Sequence, residues 1–287
     1  MSDRPWLSAY PEGAPADVEV NAYRSLVELL EQAFQRHGPR TAFSSMGKTL
    51  SYTELDQQSK ALAAYLQSLG LVKGDRVAIM LPNVLQYPIS VAAILRAGYV
   101  VVNVNPLYTA RELQHQLSDS GAKAIIIIEN FAATLQQCLA NTPIQHVVLC
   151  AMGDRLGWLK GAIVNHVVRK VKKLVPPFQL PSFVRFNQAL TVGAASALQP
   201  VNLGPEDIAV LQYTGGTTGV SKGAVLLHRN MIANDIQSEV WNAPAMKQVP
   251  AHEQRTNICA LPLYHIFRSE EHTSELQSHS FISYAVF

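Results

Sequence analysis

Val77-Ala-Ile-Met-Leu81 is an unbroken apolar run, and Ala124-Ile-Ile-Ile-Ile128 is a second one. A strand that faces water on one side alternates apolar and polar residues, whereas a strand covered on both faces is apolar throughout. The two runs therefore predict strands of a sheet that is buried on both faces. Similar runs extend the same sheet at Tyr99-Val-Val-Val-Asn-Val104 and His146-Val-Val-Leu-Cys150.

Segments with helical spacing of apolar residues separate these runs, and they predict helices over 87–97, 111–119 and 132–139. Strands that alternate with helices indicate βαβ units, so we expect an α/β fold with a parallel sheet and helices on both faces. Ligands of such sheets bind outside the carboxyl ends of the strands. Upstream, short strands are predicted at 41–44 and 48–52 and a helix over 23–38. A second helix, which begins at a capping box of Ser51 and Glu54, is predicted to end near Gly70.

Composition limits the class of protein. The chain has 287 residues, of which 48% are hydrophobic and 15% charged, as is typical of a globular protein. The formal net charge of +2 gives no reason to expect a nucleic-acid partner. Cys138, Cys150 and Cys259 match neither a disulfide framework nor a zinc pattern, so we expect buried, reduced thiols and a cytoplasmic protein. No apolar run is long enough to span a membrane, and no residue is assigned as a metal ligand.

The composition changes abruptly after Phe267. From Arg268 to Ser280 there is one apolar residue, Leu276. The string from Arg268 to Ser278 looks like the in-frame translation of a widely used DNA-sequencing adapter. We therefore predict that residues 268–287 are a non-native tail, which should be left out of fold reasoning.

The segment 160–175 combines an apolar stripe with four basic residues near its end, Arg169, Lys170, Lys172 and Lys173. One interpretation is a peripheral membrane contact, on the inner face of the cell membrane. The other is an ordinary packed helix with a solvated basic end. The packed helix is favoured, because most amphipathic helices cover a core.

The segment from Leu211 to Ala224, Leu-Gln-Tyr-Thr-Gly-Gly-Thr-Thr-Gly-Val-Ser-Lys-Gly-Ala, is the most informative for chemistry. Its glycines let backbone amides approach an anion closely. Its threonines add hydroxyl donors, and Lys222 adds a positive charge. This pattern predicts a phosphate-binding loop, followed by a helix from His228. The spacing fits neither the Walker pattern, because two residues separate Gly219 from Lys222, nor the dinucleotide pattern.

The same loop, from Tyr213 to Gly223, resembles the signature loop of the adenylate-forming enzymes, which binds the β- and γ-phosphates of ATP. Further stretches resemble other motifs of that superfamily in the same order along the chain. They are Leu50-Ser-Tyr-Thr-Glu-Leu55, Leu95-Arg-Ala-Gly98 with Val102-Asn-Val-Asn-Pro106, and Leu261-Pro-Leu-Tyr-His-Ile-Phe267.

Within the superfamily, the chain is similar to the bacterial long-chain fatty acid–CoA ligases. The similarity is carried by Pro82-Asn-Val-Leu-Gln-Tyr-Pro88, Asn103-Val-Asn-Pro-Leu-Tyr-Thr109 and His265-Ile-Phe267. It covers residues 5–267. The resemblance implies that 1–267 is a truncated N-terminal part of the AMP-binding (adenylation) domain, with parallel sheets flanked by helices and an incomplete fold.

The resemblance also implies the site residues. The ATP phosphates would be held by Thr214, Gly215, Gly216, Thr217, Thr218, Gly219 and Lys222. Tyr264 and His265 would border the fatty acyl carboxylate, with Lys222 and His265 as the catalytic pair. We expect Cys259 to serve packing. Asp235 and Glu239 are expected to be solvated helix residues without a role.

The implied activity is the ATP-dependent conversion of a long-chain fatty acid to acyl-CoA through an acyl-adenylate, with Mg²⁺ and coenzyme A. The later motifs of the superfamily are missing, so the chain itself is expected to be inactive. Two alternatives stay open: a related ligase for another carboxylic acid, and a non-catalytic truncation that binds nucleotide. Oligomeric state and acyl chain length are not determined by the sequence.

Overall fold

A computed structural model describes residues 4–214, 221–246, 254–259, 261–264 and 280–284. Its helices are α1 Leu26–His37, α2 Tyr52–Gln67, α3 Gln86–Arg96, α4 Ala110–Ser120, α5 Ala132–Cys138, α6 Trp158–His166, α7 Phe186–Ala194 and α8 His228–Met246. Its strands are β1 Thr41–Ser45, β2 Lys48–Ser51, β3 Arg76–Met80, β4 Val100–Asn103, β5 Ala124–Ile128, β6 His146–Cys150, β7 Val184–Arg185, β8 Ile208–Thr214, β9 Lys222–Leu227, β10 Arg255–Ile258 and β11 Ser280–Tyr284.

The larger sheet has seven strands in the order β7-β6-β5-β3-β4-β8-β9. Its neighbouring strands are parallel except for β8 and β9, which form an antiparallel pair. The predicted α/β fold with a parallel sheet is therefore confirmed. The carboxyl ends of β4 and β8 lie side by side, with Asn103 opposite Gln212.

The apolar runs form strands because both faces of this sheet are covered. Val77 and Ile79 of β3 pack in one core, whereas Ala78 and Met80 pack in the other. The first core is formed with α1, α2, α3, α7 and α8, and the second with α4 and α5. Successive strand residues point to opposite faces, so a two-sided core requires an apolar residue at every position.

Local signals set the helix boundaries. The predicted capping box is present at α2, where the Ser51 hydroxyl accepts from the Glu54 amide and the Glu54 carboxylate accepts from the Ser51 amide. A second box, made by Thr109 and Glu112, begins α4. That helix ends at Gly121, whose φ of 62° is in the left-handed region, where glycine has no side chain to clash.

The smaller sheet has the order β10-β11-β1-β2. Strands β1 and β2 pair antiparallel as a hairpin. Strand β11 lies inside the segment 268–287 and pairs parallel to both β1 and β10. The interpretation of that segment as a non-native tail stays a prediction.

Several elements differ from the sequence predictions. The patterns did not predict β7, β9 or β10. The helix expected over 160–175 begins at Trp158 and continues as a π-helical turn, Val167–Val171, where it ends. All three cysteines are free and buried, as predicted. Among the described residues, no helix is both long enough and apolar enough to cross a membrane.

Candidate functional site

The predicted phosphate loop joins two antiparallel strands. Thr214 is the last residue of β8 and Lys222 is the first residue of β9, and the two face each other in the strand register. Both side chains are exposed. Residues 215–220, which include Gly215, Gly216, Thr217, Thr218 and Gly219, lie outside the described residues. The structure thus brings the two ends of the predicted loop together, at the carboxyl end of β8.

The base of this hairpin is fixed by Tyr213. Its hydroxyl donates to Asp119 Oδ2 over 2.5 Å, which joins β8 to the end of α4. Its ring lies across the hairpin from Gly223, where a Cβ atom would meet ring carbons at 3.0 Å. Burial, followed by the hydrogen bond to Asp119, raises the pKa of Tyr213 above its usual value. The hydroxyl is therefore neutral at physiological pH and serves as a donor.

The other flank of the loop is attached to α4 and to the turn before it. His115 Nε2 lies 3.1 Å from the carbonyl oxygen of Ser221. Burial raises the pKa of Tyr108, against the opposing effect of its hydrogen bond to the Ser221 side chain. Neither His115 nor Tyr108 was predicted as a site residue. Tyr108 does lie in the Asn103–Thr109 motif, so that motif could have indicated Tyr108 as a site residue.

A buried polar network joins β4, β8 and the segment at Tyr264. Asn103 Nδ2 donates to Gln212 Oε1 over 2.9 Å, and Gln212 Nε2 donates to the carbonyl oxygen of Tyr264 over 3.0 Å. The Tyr87 hydroxyl donates to Asn103 Oδ1 over 2.7 Å and lies 3.1 Å from the carbonyl oxygen of Leu263. The network thus holds Tyr264 beside the strand that leads into the hairpin.

Asn83 also holds the segment 261–264 through hydrogen bonds. Its Nδ2 donates to the carbonyl oxygen of Leu261 over 3.0 Å, and its Oδ1 accepts from the Leu263 amide over 2.8 Å. Burial raises the pKa of the Tyr264 phenol, with a further contribution from Tyr108. Tyr264 therefore lies near the turn that contacts Ser221. His265, the second predicted residue of the acyl side, lies outside the described residues.

Sequence reasoning missed the residues that position the site. Asn103 and Gln212 are polar residues within otherwise apolar strands, and both are buried. A polar side chain in such a strand needs a partner, because burial without a hydrogen bond is unfavourable. Both residues lie in motifs described above, and this position could have indicated that they are part of the site.

Two further expectations concern α8 and the chain segment after it. Cys259 is buried, so its packing role is confirmed. Asp235 was expected to be solvated, and this was wrong, because it is completely buried. The error arose because a helix pattern does not show which neighbours cover a polar position.

The arrangement suits an anionic ligand. Thr214 and Lys222 are paired in the strand register and both side chains are exposed, and Lys222 makes no ion pair with any residue that the structure describes. Among all the described residues, no cluster of three His, Cys, Asp or Glu side chains could hold a metal ion. The described residues therefore offer positive charge and hydroxyl donors, which bind phosphate oxygens.

The sequence matches a known family over most of its length. The sequence model described as AMP-binding enzyme matches residues 30–274. The chain therefore belongs to the AMP-binding enzyme family, as the resemblance of the signature loop implied.

Individual relatives within this family are long-chain-fatty-acid–CoA ligases. The long-chain-fatty-acid–CoA ligase of Escherichia coli O6:H1 is 51% identical over 263 residues, which are 91% of this chain and 46% of that enzyme. The long-chain-fatty-acid–CoA ligase of Bacillus subtilis strain 168 is 33% identical over 268 residues, which are 93% of this chain and 47% of that enzyme. The chain thus spans about half the length of the curated relatives it matches.

A solved structure agrees with the fold. The crystal structure of a long-chain-fatty-acid-CoA ligase from Archaeoglobus fulgidus has a TM-score of 0.74 to this chain at 22% identity. The similarity covers 97% of this chain and 50% of that one. The expectation that the chain has the N-terminal part of the adenylate-forming fold is therefore confirmed.

Proposed function

We propose that the chain is the N-terminal part of an AMP-forming ligase that converts long-chain fatty acids to acyl-CoA. The proposal rests on the identity to the long-chain-fatty-acid–CoA ligases described above. ATP, the fatty acid and coenzyme A are the proposed substrates. The tail 268–287 is proposed to be non-native, so that 1–267 is the genuine part of the domain.

The single observation that supports the proposed ATP-binding site is the pairing of Thr214 with Lys222 in the strand register. The predicted phosphate loop lies in the sequence between these two paired residues, which contribute a hydroxyl and an ammonium group at the strand ends. We assign the ATP phosphates to Thr214, Gly215, Gly216, Thr217, Thr218, Gly219 and Lys222. Lys222 is exposed and makes no ion pair with the described residues, so it can turn toward a bound phosphate without breaking any of their ion pairs.

The acyl side is assigned to Tyr264 and His265. Hydrogen bonds from Gln212 and Asn83 hold the segment 261–264 against the strand that leads to the phosphate loop. A carboxylate bordered by this segment would therefore lie close to phosphates held by the hairpin. This proximity is what the reaction requires, since two anionic reactants must be oriented against their mutual repulsion.

In the proposed reaction, a carboxylate oxygen attacks the α-phosphorus of ATP and the bond to pyrophosphate breaks. The thiolate of coenzyme A then attacks the acyl carbon and AMP leaves. Lys222 and the loop donors stabilise phosphate charge, and His265 with Tyr264 orients the acyl group. The described residues contain no carboxylate cluster that fits Mg²⁺, so no step is assigned to a metal on this chain.

The nucleotide site is tested by ATP binding to the purified chain, measured by calorimetry. Lys222→Ala should lower the affinity about tenfold to a hundredfold, because a charge-assisted hydrogen bond contributes about 1.5–3 kcal/mol. Lys48→Ala is the matched control, since Lys48 is an exposed lysine of another hairpin. Equal affinities for the two variants would contradict the assignment of Lys222.

The domain assignment is tested on the source DNA. Sequencing across codon 268 with primers that share no adapter sequence should show that reading continues past Phe267 into an apolar segment. If codons 268–287 and a stop are encoded, the truncation that binds nucleotide replaces the ligase as the function of this product. If reading continues past Phe267, the completed gene product should be assayed for pyrophosphate exchange with long-chain, medium-chain and aromatic acids. Preference for a medium-chain or aromatic acid would favour the related ligase instead.

A further inference from the structure

Helix α4 contacts both strands of the hairpin that carries the predicted phosphate loop. On the β8 side, Asp119 Oδ2 accepts from the Tyr213 hydroxyl over 2.5 Å. On the β9 side, His115 Nε2 lies 3.1 Å from the carbonyl oxygen of Ser221. His115 and Asp119 are four residues apart, so they are neighbours on one side of the helix. Tyr213 and Ser221 flank positions 214–220 in the sequence. One turn of α4 therefore contacts the chain on both sides of these positions.

Helix α4 is itself firmly attached to the larger sheet. Its Leu113 and Leu117 are completely buried in the second core. Between them, the buried Gln116 donates from Nε2 to the carbonyl oxygen of Asn103, at the carboxyl end of β4, over 2.7 Å. The capping box described above closes the first turn of the helix. A helix that is fixed at its first turn and along its core side can hold a neighbouring hairpin in one place.

The hydrogen bond of His115 fixes the direction of one peptide group. A carbonyl oxygen only accepts, so His115 Nε2 carries the proton and donates it to Ser221. The peptide between Ser221 and Lys222 is trans, and the C=O and N–H groups of a trans peptide point in opposite directions. The Ser221 oxygen therefore points toward α4, and the N–H of Lys222 points away from it. Phosphate is bound by N–H groups, whereas a carbonyl oxygen repels it. His115 thus holds the repelling oxygen in place beside Lys222.

Tyr108 holds the side chain of the same residue. It directly precedes Thr109, the N-cap of α4, and its ring is partly buried against the second core. The Tyr108 phenol and the Ser221 hydroxyl are hydrogen-bonded. Ser221 is therefore held twice, through its carbonyl oxygen by His115 and through its hydroxyl by Tyr108.

We propose that His115 and Tyr108 are positioning residues for the binding of the ATP phosphates, because they hold the backbone at Ser221 and Lys222 against α4. The Lys222 side chain then starts from a fixed backbone position. A backbone that is already ordered does not have to be ordered when the anion binds, so less conformational entropy is lost. Both residues act through Ser221, and neither is assigned a contact with substrate. The inference rests on the proposed ATP site, which is tested separately through Lys222.

Two substitutions of His115 test its role in the full 287-residue chain, with ATP affinity measured by calorimetry. Leucine cannot donate a hydrogen bond, whereas the amide nitrogen of glutamine can take the place of histidine Nε2. His115→Leu should lower the ATP affinity about fivefold, which corresponds to the loss of one neutral hydrogen bond, and His115→Gln should bind within about twofold of the parent. His146→Leu is the control, since His146 is also partly buried but begins β6 at the amino end of the strands. It should leave the affinity unchanged.

Amide hydrogen exchange without nucleotide reports the hairpin directly. In His115→Leu, the amides of β9 should exchange about fivefold faster than in the parent, while those of β3 and β5 keep their rates. His115→Gln should restore slow exchange. Unchanged exchange in His115→Leu would contradict the positioning role, whatever the result with ATP. Failure of the parent chain to bind ATP would instead contradict the proposed ATP site, so the two failures are distinguishable.

Tyr108→Phe and Ser221→Ala remove the two sides of one hydrogen bond. Each should lower the ATP affinity about threefold, and the double variant should bind no worse than the weaker single variant. Additive losses would overturn the role of Tyr108.

Urea unfolding of every variant separates positioning from stability. We expect His115→Leu to lose affinity without a matching loss in the unfolding midpoint, because the freed Ser221 carbonyl can bind water in its partly exposed position. The role of His115 is overturned if His115→Gln binds as weakly as His115→Leu. It is also overturned if affinity follows the unfolding midpoint across all variants, His146→Leu included.

Discussion

Two regions that bury polar side chains differ in whether those side chains are hydrogen-bonded. At the carboxyl ends of β4 and β8, the amides of Asn103 and Gln212 are hydrogen-bonded to each other and to their neighbours. In the middle of α8, both carboxylate oxygens of Asp235 are buried without a hydrogen-bond partner among the described residues. The hydrogen-bonded amides of the first region stabilise the native fold. The buried carboxylate of the second region destabilises the native fold by an amount that depends on pH.

The difference shows why the amides are suited to a site. A neutral amide can be buried with two hydrogen bonds and adds no charge, so the positive charge of Lys222 is left for an incoming anion. A buried carboxylate without a partner shifts its pKa instead. Desolvation, with a smaller effect of Glu239, raises the pKa of Asp235 to about 8.

The largest expected effect is at Asp235. Its folded pKa is above the unfolded value, so between about pH 4 and 8 the native state holds a proton that the unfolded state has released. The contribution of Asp235 to stability should therefore become less favourable as pH rises, by up to about 1.4 kcal/mol per pH unit. Asp235→Asn should remove this dependence and gain about 4 kcal/mol more at pH 8 than at pH 5, measured by urea unfolding.

Glu239→Gln is the control for Asp235. Glu239 is exposed and lies one turn further along α8, so this variant should leave the pH dependence nearly unchanged. Equal gains from Asp235→Asn at pH 5 and pH 8 would show that the carboxylate has a partner in solution.

His228 at the start of α8 should give the opposite pH dependence. Its Nδ1 accepts from the Leu26 amide over 3.1 Å, and burial lowers the pKa of His228 to about 4. Between about pH 6.5 and 4 the unfolded state binds a proton at His228 that the native state does not, so the contribution of His228 to stability should become less favourable as pH falls, by about 3 kcal/mol in all. His228→Asn should flatten this limb in urea titrations, whereas His166→Asn, at an exposed position, should not.

The amide network is tested by Gln212→Leu. This change leaves Asn103 Nδ2 and the Tyr264 carbonyl without their partner, so unfolding free energy should fall by about 1–3 kcal/mol. Gln32→Leu, at an exposed position of α1, is the control and should change stability by less than about 0.5 kcal/mol. A neutral Gln212→Leu would mean that the network does not hold the segment 261–264.

Tyr213→Phe should have the smallest effect. It removes the hydrogen bond to Asp119 but keeps the ring against Gly223, so a loss of about 1 kcal/mol is expected in urea unfolding. Gly223→Ala tests the ring contact separately, since its Cβ would meet the ring at 3.0 Å. If Tyr213→Phe destabilises more than Gln212→Leu, the attachment to α4 matters more than the buried network.

Much of the fold was predictable from local patterns. The apolar run at 124–128 became a strand with unchanged bounds, and the Ser51 capping box began α2 where predicted. The site was predictable in part, because Thr214 and Lys222 do face each other, while most residues between them lie outside the described part. Strand β9 was missed because Lys222-Gly-Ala-Val-Leu-Leu227 has no strict alternation and contains a glycine.

The sequence by itself determined the α/β class, the order of the elements from α1 to β6, the phosphate-loop motif and the resemblance to a family. These depend on hydrogen bonds and side-chain periodicity within a few residues of the chain. Only the tertiary structure decided which polar groups are partnered and that Asp235 is buried. Gln212 is 109 residues from Asn103 and 52 from Tyr264. The described residues offer the carboxylate of Asp235 no hydrogen-bond partner. Such partners are set by packing between distant elements, which local patterns do not encode.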